Sequence, residues 1–211
     1  MSRWFGRLSS GPALLLFGGF LVSLGASECR ADWITFHDCR YLPNRANDGD
    51  SFHVRAEKKE YIFRLYFVDA PETHASFRGR LRDQARYFHV TIPQALRIGR
   101  EAERFTKRKL RRPFTVRTCL QDARGRSRLP RYFAFVEIAG NDLGEMLVAN
   151  GLARVFGAAA EAPGKNRPEV EWRRLEQLER QAKMEKIGGW AMTLERSSVG
   201  TNGKNRASSG D

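Results

Sequence analysis

The stretch IFRLYFVDAPET, residues 62–73, reads as an extended strand with apolar side chains on both faces. Alternation puts Ile62, Tyr66 and Val68 on one side and Phe63, Leu65 and Phe67 on the other. Such a strand belongs inside a sheet that is covered on both faces. Three charges interrupt it: Arg64 within the run, then Asp69 and Glu72 at its end. An unpaired buried charge is costly, so each of the three calls for a partner, a metal ion or an anionic ligand.

Upstream, Asn47-Asp48-Gly49-Asp50 precedes SFHVRA, and Asp-Gly between extended segments is a tight-turn signal. EYIFRLYFVDA is expected to pair back on that strand, so residues 33–67 read as strands. Downstream the period changes. Thr91, Pro93 and Gln94 form an N-cap, a first-turn proline and a capping-box partner, and Ala95, Ile98, Ala102 and Phe105 recur at helical spacing, with Gly99 weakening the middle. PFTVRTCL and RYFAFVEIAG read as two more strands, followed by a short helix around DLGEMLVANG. The last helix runs from about Pro168 to Ile187, with Trp172, Leu175, Leu178 and Ala182 facing inward and Gly188 ending it. Five strand signals with helices between and after them fit an α+β domain built on a small closed barrel.

The N-terminus has a different character. Arg3 and Arg7 precede the apolar run PALLLFGGFLVSLG, about fourteen residues and shorter than the 18 to 20 or so needed to span a bilayer. Residues 1–31 therefore read as a signal peptide, cleaved after Ser27 or Ala31, with an uncleaved anchor as the alternative. Residues 32–193 form the expected domain, and the polar residues 194–211 read as a disordered tail. The expected location is outside the cytoplasm: secreted, periplasmic or in the envelope. In that oxidising setting Cys39 and Cys119 could form one disulfide, against the alternative of two buried thiols.

Charge narrows the choice of partner. Lys and Arg outnumber Asp and Glu by 37 to 24, a formal +13 that favours polyanions or an acidic membrane surface. The acidic residues are placed unevenly. Asp48 and Asp50 bracket a glycine, and Asp69 and Glu72 end the next strand but one; if those segments are neighbours, the carboxylates repel one another unless a cation lies between them. Oxygen-only ligands favour Ca²⁺ or Mg²⁺ over Zn²⁺. His37, His53, His74 and His89 have no metal-ligand spacing, and only His74, next to the acidic cluster, is an outside candidate.

The motifs NDGDSFHV, FRLYFVDAPET, GREAERFTKRKL, GLARV and ERQAKMEKIGGW resemble, in order, those of the staphylococcal nuclease family across roughly residues 45–190. That resemblance implies a five-stranded OB-fold barrel with about three helices, here with an inserted helical segment. It also implies a Ca²⁺-dependent phosphodiesterase acting on DNA or RNA and leaving 3′-phosphate ends. Asp50 and Asp69 match the calcium carboxylates, Ala70 the position whose backbone carbonyl joins them, and Glu72 the acid that orients or deprotonates the attacking water. Arg64 matches the first phosphate-holding arginine. The second is Arg131 by gapless counting from GLARV, or Arg126 by the local pattern DARGR. Two tyrosines expected after GLARV are replaced by Gly157 and Ala159, so base stacking should differ.

The segment HASFRGRLRDQARYFHVTIPQALRI, residues 74–98, is longer than the family's compact loop and carries Arg78, Arg80, Arg82 and Arg86. Arg78 and Arg80, with Arg128, are candidates for substrate contact; the alternative is a solvated helix face. The expected molecule is a monomer with nucleic acid as substrate and no stable protein partner, meeting membrane only if the leader is retained. The competing reading is an OB-fold module that binds nucleic acid with weak or no catalysis.

Overall fold

The structure is a computed structural model describing residues 32–125 and 129–192. The leader, the polar tail, Arg126 and Arg128 lie outside the described residues.

Five strands close a barrel: β1 (Ile34–Tyr41), β2 (Ser51–Ala56), β3 (Lys59–Leu65), β5 (Phe114–Thr118) and β6 (Arg131–Ile138). Their order is β3-β2-β1-β5-β6, each neighbouring pair antiparallel, and a parallel pairing of β3 with β6 closes the ring. The interior follows from alternation. Phe52 and Val54 of β2, Phe63 and Leu65 of β3, Val116 of β5 and Ala134 and Val136 of β6 are all buried. Each large side chain among them contributes about 1.5–3 kcal/mol by leaving water. Among the described residues three short strands complete the set: β4 (Val68–Asp69), β7 (Asn141–Asp142) and β8 (Arg154–Val155), with β4 pairing β8.

Among the described residues four α-helices pack around the barrel, α1 (Arg78–Tyr87), α2 (Ile92–Lys109), α3 (Leu143–Ala149) and α4 (Pro168–Met184), so the fold is the expected α+β barrel. α1 is the inserted segment. At the start of α2, Thr91 and Gln94 form the full reciprocal capping box. Asp142 caps α3 by accepting from Gly144 N at 2.8 Å and Glu145 N at 3.2 Å. α4 ends at Met184, three residues before the expected Ile187.

Two expectations are corrected. The continuous strand through residue 68 breaks after Leu65, because Phe67 adopts a left-handed backbone with φ 64°. Its N–H donates to Ala158 O and its carbonyl accepts from Phe156 N, both at 2.8 Å, so a neighbouring segment holds the unusual conformation. Cys39 and Cys119 do not pair: Cys39 is a free buried thiol, whereas Cys119 is disulfide-bonded. Register gives the reason. Cys39 faces Phe114 at one end of the β1–β5 ladder, and Cys119 lies beyond Thr118, which faces Ile34 at the other.

Candidate active site

The site lies where the turn before β2, the end of β3, β4 and α1 meet. Asp48 Oδ1 accepts from the backbone N–H groups of Asp50 at 3.1 Å and Ser51 at 2.6 Å, which shapes the turn and points Asp50 inward. α2 holds this turn from behind: Thr106 Oγ1 donates to Gly49 O at 2.7 Å, and a Cβ on Gly49 would lie 2.6 Å from Ala102 Cβ. The same helix supports the second acidic segment. A Cβ on Gly99 would lie 2.4 Å from the carbonyl oxygens of both Pro71 and Glu72, so the mid-helix glycine lets that segment lie against α2.

Arg64 is the centre of the cluster. Its Nη2 lies 3.1 Å from Asp50 Oδ2 and 2.8 Å from Asp69 Oδ1, so both carboxylates converge on one nitrogen. In a regular strand Arg64 and Asp69 would face opposite ways; the turn at Phe67 resets that alternation. Arg80 of α1 pairs with Asp69 Oδ1 and, through Nη1, with Glu72 Oε1 at 2.9 Å. Asp69 Oδ2 accepts from Arg154 Nε at 2.9 Å and Gln84 Nε2 at 3.0 Å. Gln84 also bonds Ala70 O at 3.0 Å, and its Oε1 accepts from Glu72 N at 3.0 Å.

These contacts set the charges. Burial alone would raise the Asp69 pKa, but Arg80, the Gln84 amide, Arg64 and Arg154 together hold it below the usual carboxylate range. Burial raises the Glu72 pKa, with Arg80 opposing it. Asp48 is pushed well up by burial and by the neighbouring carboxylate of Asp50. For Arg64, burial works against the charge, yet Asp50 and Asp69 raise its pKa overall.

A cleft of 460 Å³ opens over this cluster, lined by Arg45, Asp48, His53, Glu72, Arg80 and Arg131 among others. Arg131 places its guanidinium on backbone carbonyls: Nε donates to Arg124 O at 2.9 Å, and Nη2 also bonds that oxygen. Among the described residues no carboxylate pairs with it, so its charge remains available to an anion. Gly125 lies against this guanidinium, where a Cβ would come within 3.1 Å of Nη2.

Thus Asp50, Arg64, Asp69, Ala70 and Glu72 come together, and Arg131 shares the cleft with Glu72. Arg80 belongs to the same group, as a partner of the acids. Arg78, Arg82 and Arg86 are exposed, and Arg86 pairs with Asp83 at 3.3 Å. His74 lines the cleft but joins no ligand group. Arg154 and Gln84 were not anticipated as site residues. Both carried a signal: Arg154 interrupts the apolar GLARV as Arg64 interrupts its own strand, and Gln84 falls on the buried stripe of Leu81, Ala85 and Phe88.

Among the described residues no three His, Cys, Asp or Glu side chains gather into a metal-holding group. The fit to a hard divalent cation rests on fewer groups. Asp50 Oδ1 is buried with no hydrogen-bond partner among the described residues, the Asp48 carboxyl lies beside Asp50, and Asp69 meets the Arg64 nitrogen that holds Asp50 Oδ2. An oxygen donor left unsatisfied amid mutual carboxylate repulsion suits Ca²⁺ or Mg²⁺.

A closed five-stranded barrel flanked by helices, carrying buried carboxylates interleaved with arginines beneath a cleft, defines an OB-like α+β domain. The family model described as staphylococcal nuclease homologue matches residues 62–192, and the chain belongs to that nuclease family.

Proposed function

We propose that this protein is a metal-assisted phosphodiesterase, exported from the cytoplasm, that hydrolyses DNA or RNA. The observation that carries the reading is the convergence of Asp50 and Asp69 on Arg64 beside Glu72, with Arg131, which meets no carboxylate among the described residues, in the same cleft. The cation assigned to this site is Ca²⁺. Asp50, Asp69 and the Ala70 carbonyl would hold it, with Glu72 acting through a water. Bound there, the ion supplies positive charge for the oxygens of the attacked phosphate.

The chain's own groups supply the rest. Arg131 and Arg64 present guanidinium donors to the phosphate oxygens, where negative charge builds as water adds to phosphorus. Arg80 occupies Glu72 Oε1, and Oε2 has no partner among the described residues, so it is the oxygen free to orient the water and accept its proton. The new bond joins the water oxygen to phosphorus, and the P–O5′ bond breaks, leaving a 3′-phosphate and, once the departing oxygen is protonated, a 5′-hydroxyl.

The test is incubation of the purified protein with single- and double-stranded DNA and RNA in Ca²⁺, Mg²⁺ or chelator, reading fragment size and end chemistry. Glu72→Gln keeps the shape and much of the bonding, and is expected to lower kcat by a factor of about 10² to 10⁴. Full activity in that variant removes Glu72 from the mechanism.

A second reading has support in one feature. Both Asp69 oxygens are already taken by Arg64, Arg80, Arg154 and Gln84, an arrangement that also suits a barrel that binds nucleic acid without cutting it. Binding to oligonucleotides with no cleavage in any metal selects this alternative.

A further inference from the structure

His53 is a cleft residue that the mechanism above does not use. Its Nδ1 lies 2.6 Å from Asn47 Oδ1, and the same oxygen accepts the His53 backbone N–H at 2.9 Å. The Asn47 amide is fixed the right way round, because its Nδ2 donates to Leu42 O at 2.9 Å. Nδ1 therefore carries the proton. In the neutral ring the other nitrogen, Nε2, is then a hydrogen-bond acceptor. It has no partner among the described residues, and His53 lines the cleft. Burial lowers the His53 pKa, which favours the neutral ring at pH 7.

The charged groups that share the cleft have other roles, and its remaining polar side chains are those of Ser51, Thr73, His74 and Ser76. Arg45, Arg80 and Arg131 are donors, Asp48 Oδ1 accepts two backbone N–H groups, and Glu72 is assigned to the water. Strand register places the acceptor relative to the phosphate site. Arg64 pairs with Ser51, whereas His53 pairs with Ile62, which in turn faces Arg131. His53 is thus two residues along β2 from the Arg64 row, roughly 6.6 Å, a distance that suits a sugar adjoining a phosphate held there. The deoxyribose-phosphate backbone offers only acceptors. The ribose 2′-hydroxyl is the backbone donor that separates RNA from DNA.

We propose that His53 Nε2 accepts a hydrogen bond from the 2′-hydroxyl of a ribonucleotide next to the scissile phosphate, biasing the cleft toward single-stranded RNA. This deepens the nuclease reading and rests on it for the position of the phosphate.

The test measures binding of a labelled single-stranded octamer as RNA, as 2′-fluoro RNA and as DNA of matching sequence, by fluorescence anisotropy in chelator with a gel check that the oligomers stay intact. The wild type is expected to bind RNA about tenfold more tightly than the other two, the size of one net hydrogen bond. His53→Leu is expected to bring RNA down to the level of DNA and leave DNA within twofold. Equal wild-type affinity for RNA and 2′-fluoro RNA overturns the proposal. So does a His53→Leu variant that keeps the difference or weakens all three equally. If the preference holds but no oligomer is cut when Ca²⁺ or Mg²⁺ is restored, the hydrolase reading falls and the ribose contact stands.

Discussion

Arg64 is the residue on which the site's electrostatics turn. It is largely buried and holds two carboxylates that would otherwise repel each other across a few ångströms. Asp69 is the most heavily engaged of those acids, and its pKa in the folded state lies below the ordinary value of about 3.9. Its contribution to stability is therefore complete above that value and is lost as the pH falls through the lower, folded-state pKa. Asp69→Asn is expected to be less stable than the wild type at pH 7, with the gap narrowing as unfolding is measured at progressively lower pH toward 3. A gap that does not change with pH would show that the ion pairs to Asp69 add nothing beyond its shape.

At the scale of the element, α2 is the beam against which both acidic turns are set. Gly99 costs helix propensity, yet it lets the Pro71–Glu72 backbone come close. Gly99→Ala forces a methyl group to within 2.4 Å of two backbone carbonyls, and neither can give way cheaply. The expected result is a loss of about 1–3 kcal/mol in urea unfolding, together with reduced activity from displacement of Glu72. Thr91→Ala separates the two effects. It removes the capping box at the far end of α2, so about 1 kcal/mol of stability should go while activity per folded molecule stays unchanged. α1 is the other element that matters. Its inward face delivers Arg80 and Gln84 to the acids, and its exposed face carries Arg78, Arg82 and Arg86.

At the scale of the molecule, the surplus of positive charge belongs to the more exposed side chains, because the charges buried among the described residues are mostly acidic: Asp50, Asp69, Glu171 and Glu179 against Arg154. Arg78 and Arg82 lie on the exposed face of the inserted helix, near the cleft that Arg80 lines. If that face follows a nucleic-acid strand, the double variant Arg78→Gln/Arg82→Gln is expected to reduce the salt slope of single-strand binding by about 0.7 for each phosphate that the protein no longer neutralises. An unchanged slope in a titration from low to physiological salt assigns these arginines to solvation alone. No helix among the described residues is long and apolar enough to cross a membrane.

Much of this was legible in the sequence, because it depends on local period and local chemistry. Alternation marked the barrel strands, Thr91 and Gln94 marked the start of α2, and charges breaking an apolar run marked Arg64, Asp69 and Glu72. The order of the motifs carried the family. What the tertiary structure decided was who meets whom. The left-handed turn at Phe67, held by residues 156–158, brings Asp69 round to Arg64 against the alternation of a regular strand. Ladder register keeps Cys39 from Cys119, and an inserted helix supplies arginine and glutamine to acids encoded upstream of it. Periodicity fixes which way a side chain faces within its own element, but pairing between distant elements depends on how the closed barrel and its helices pack, and that free energy belongs to no single segment.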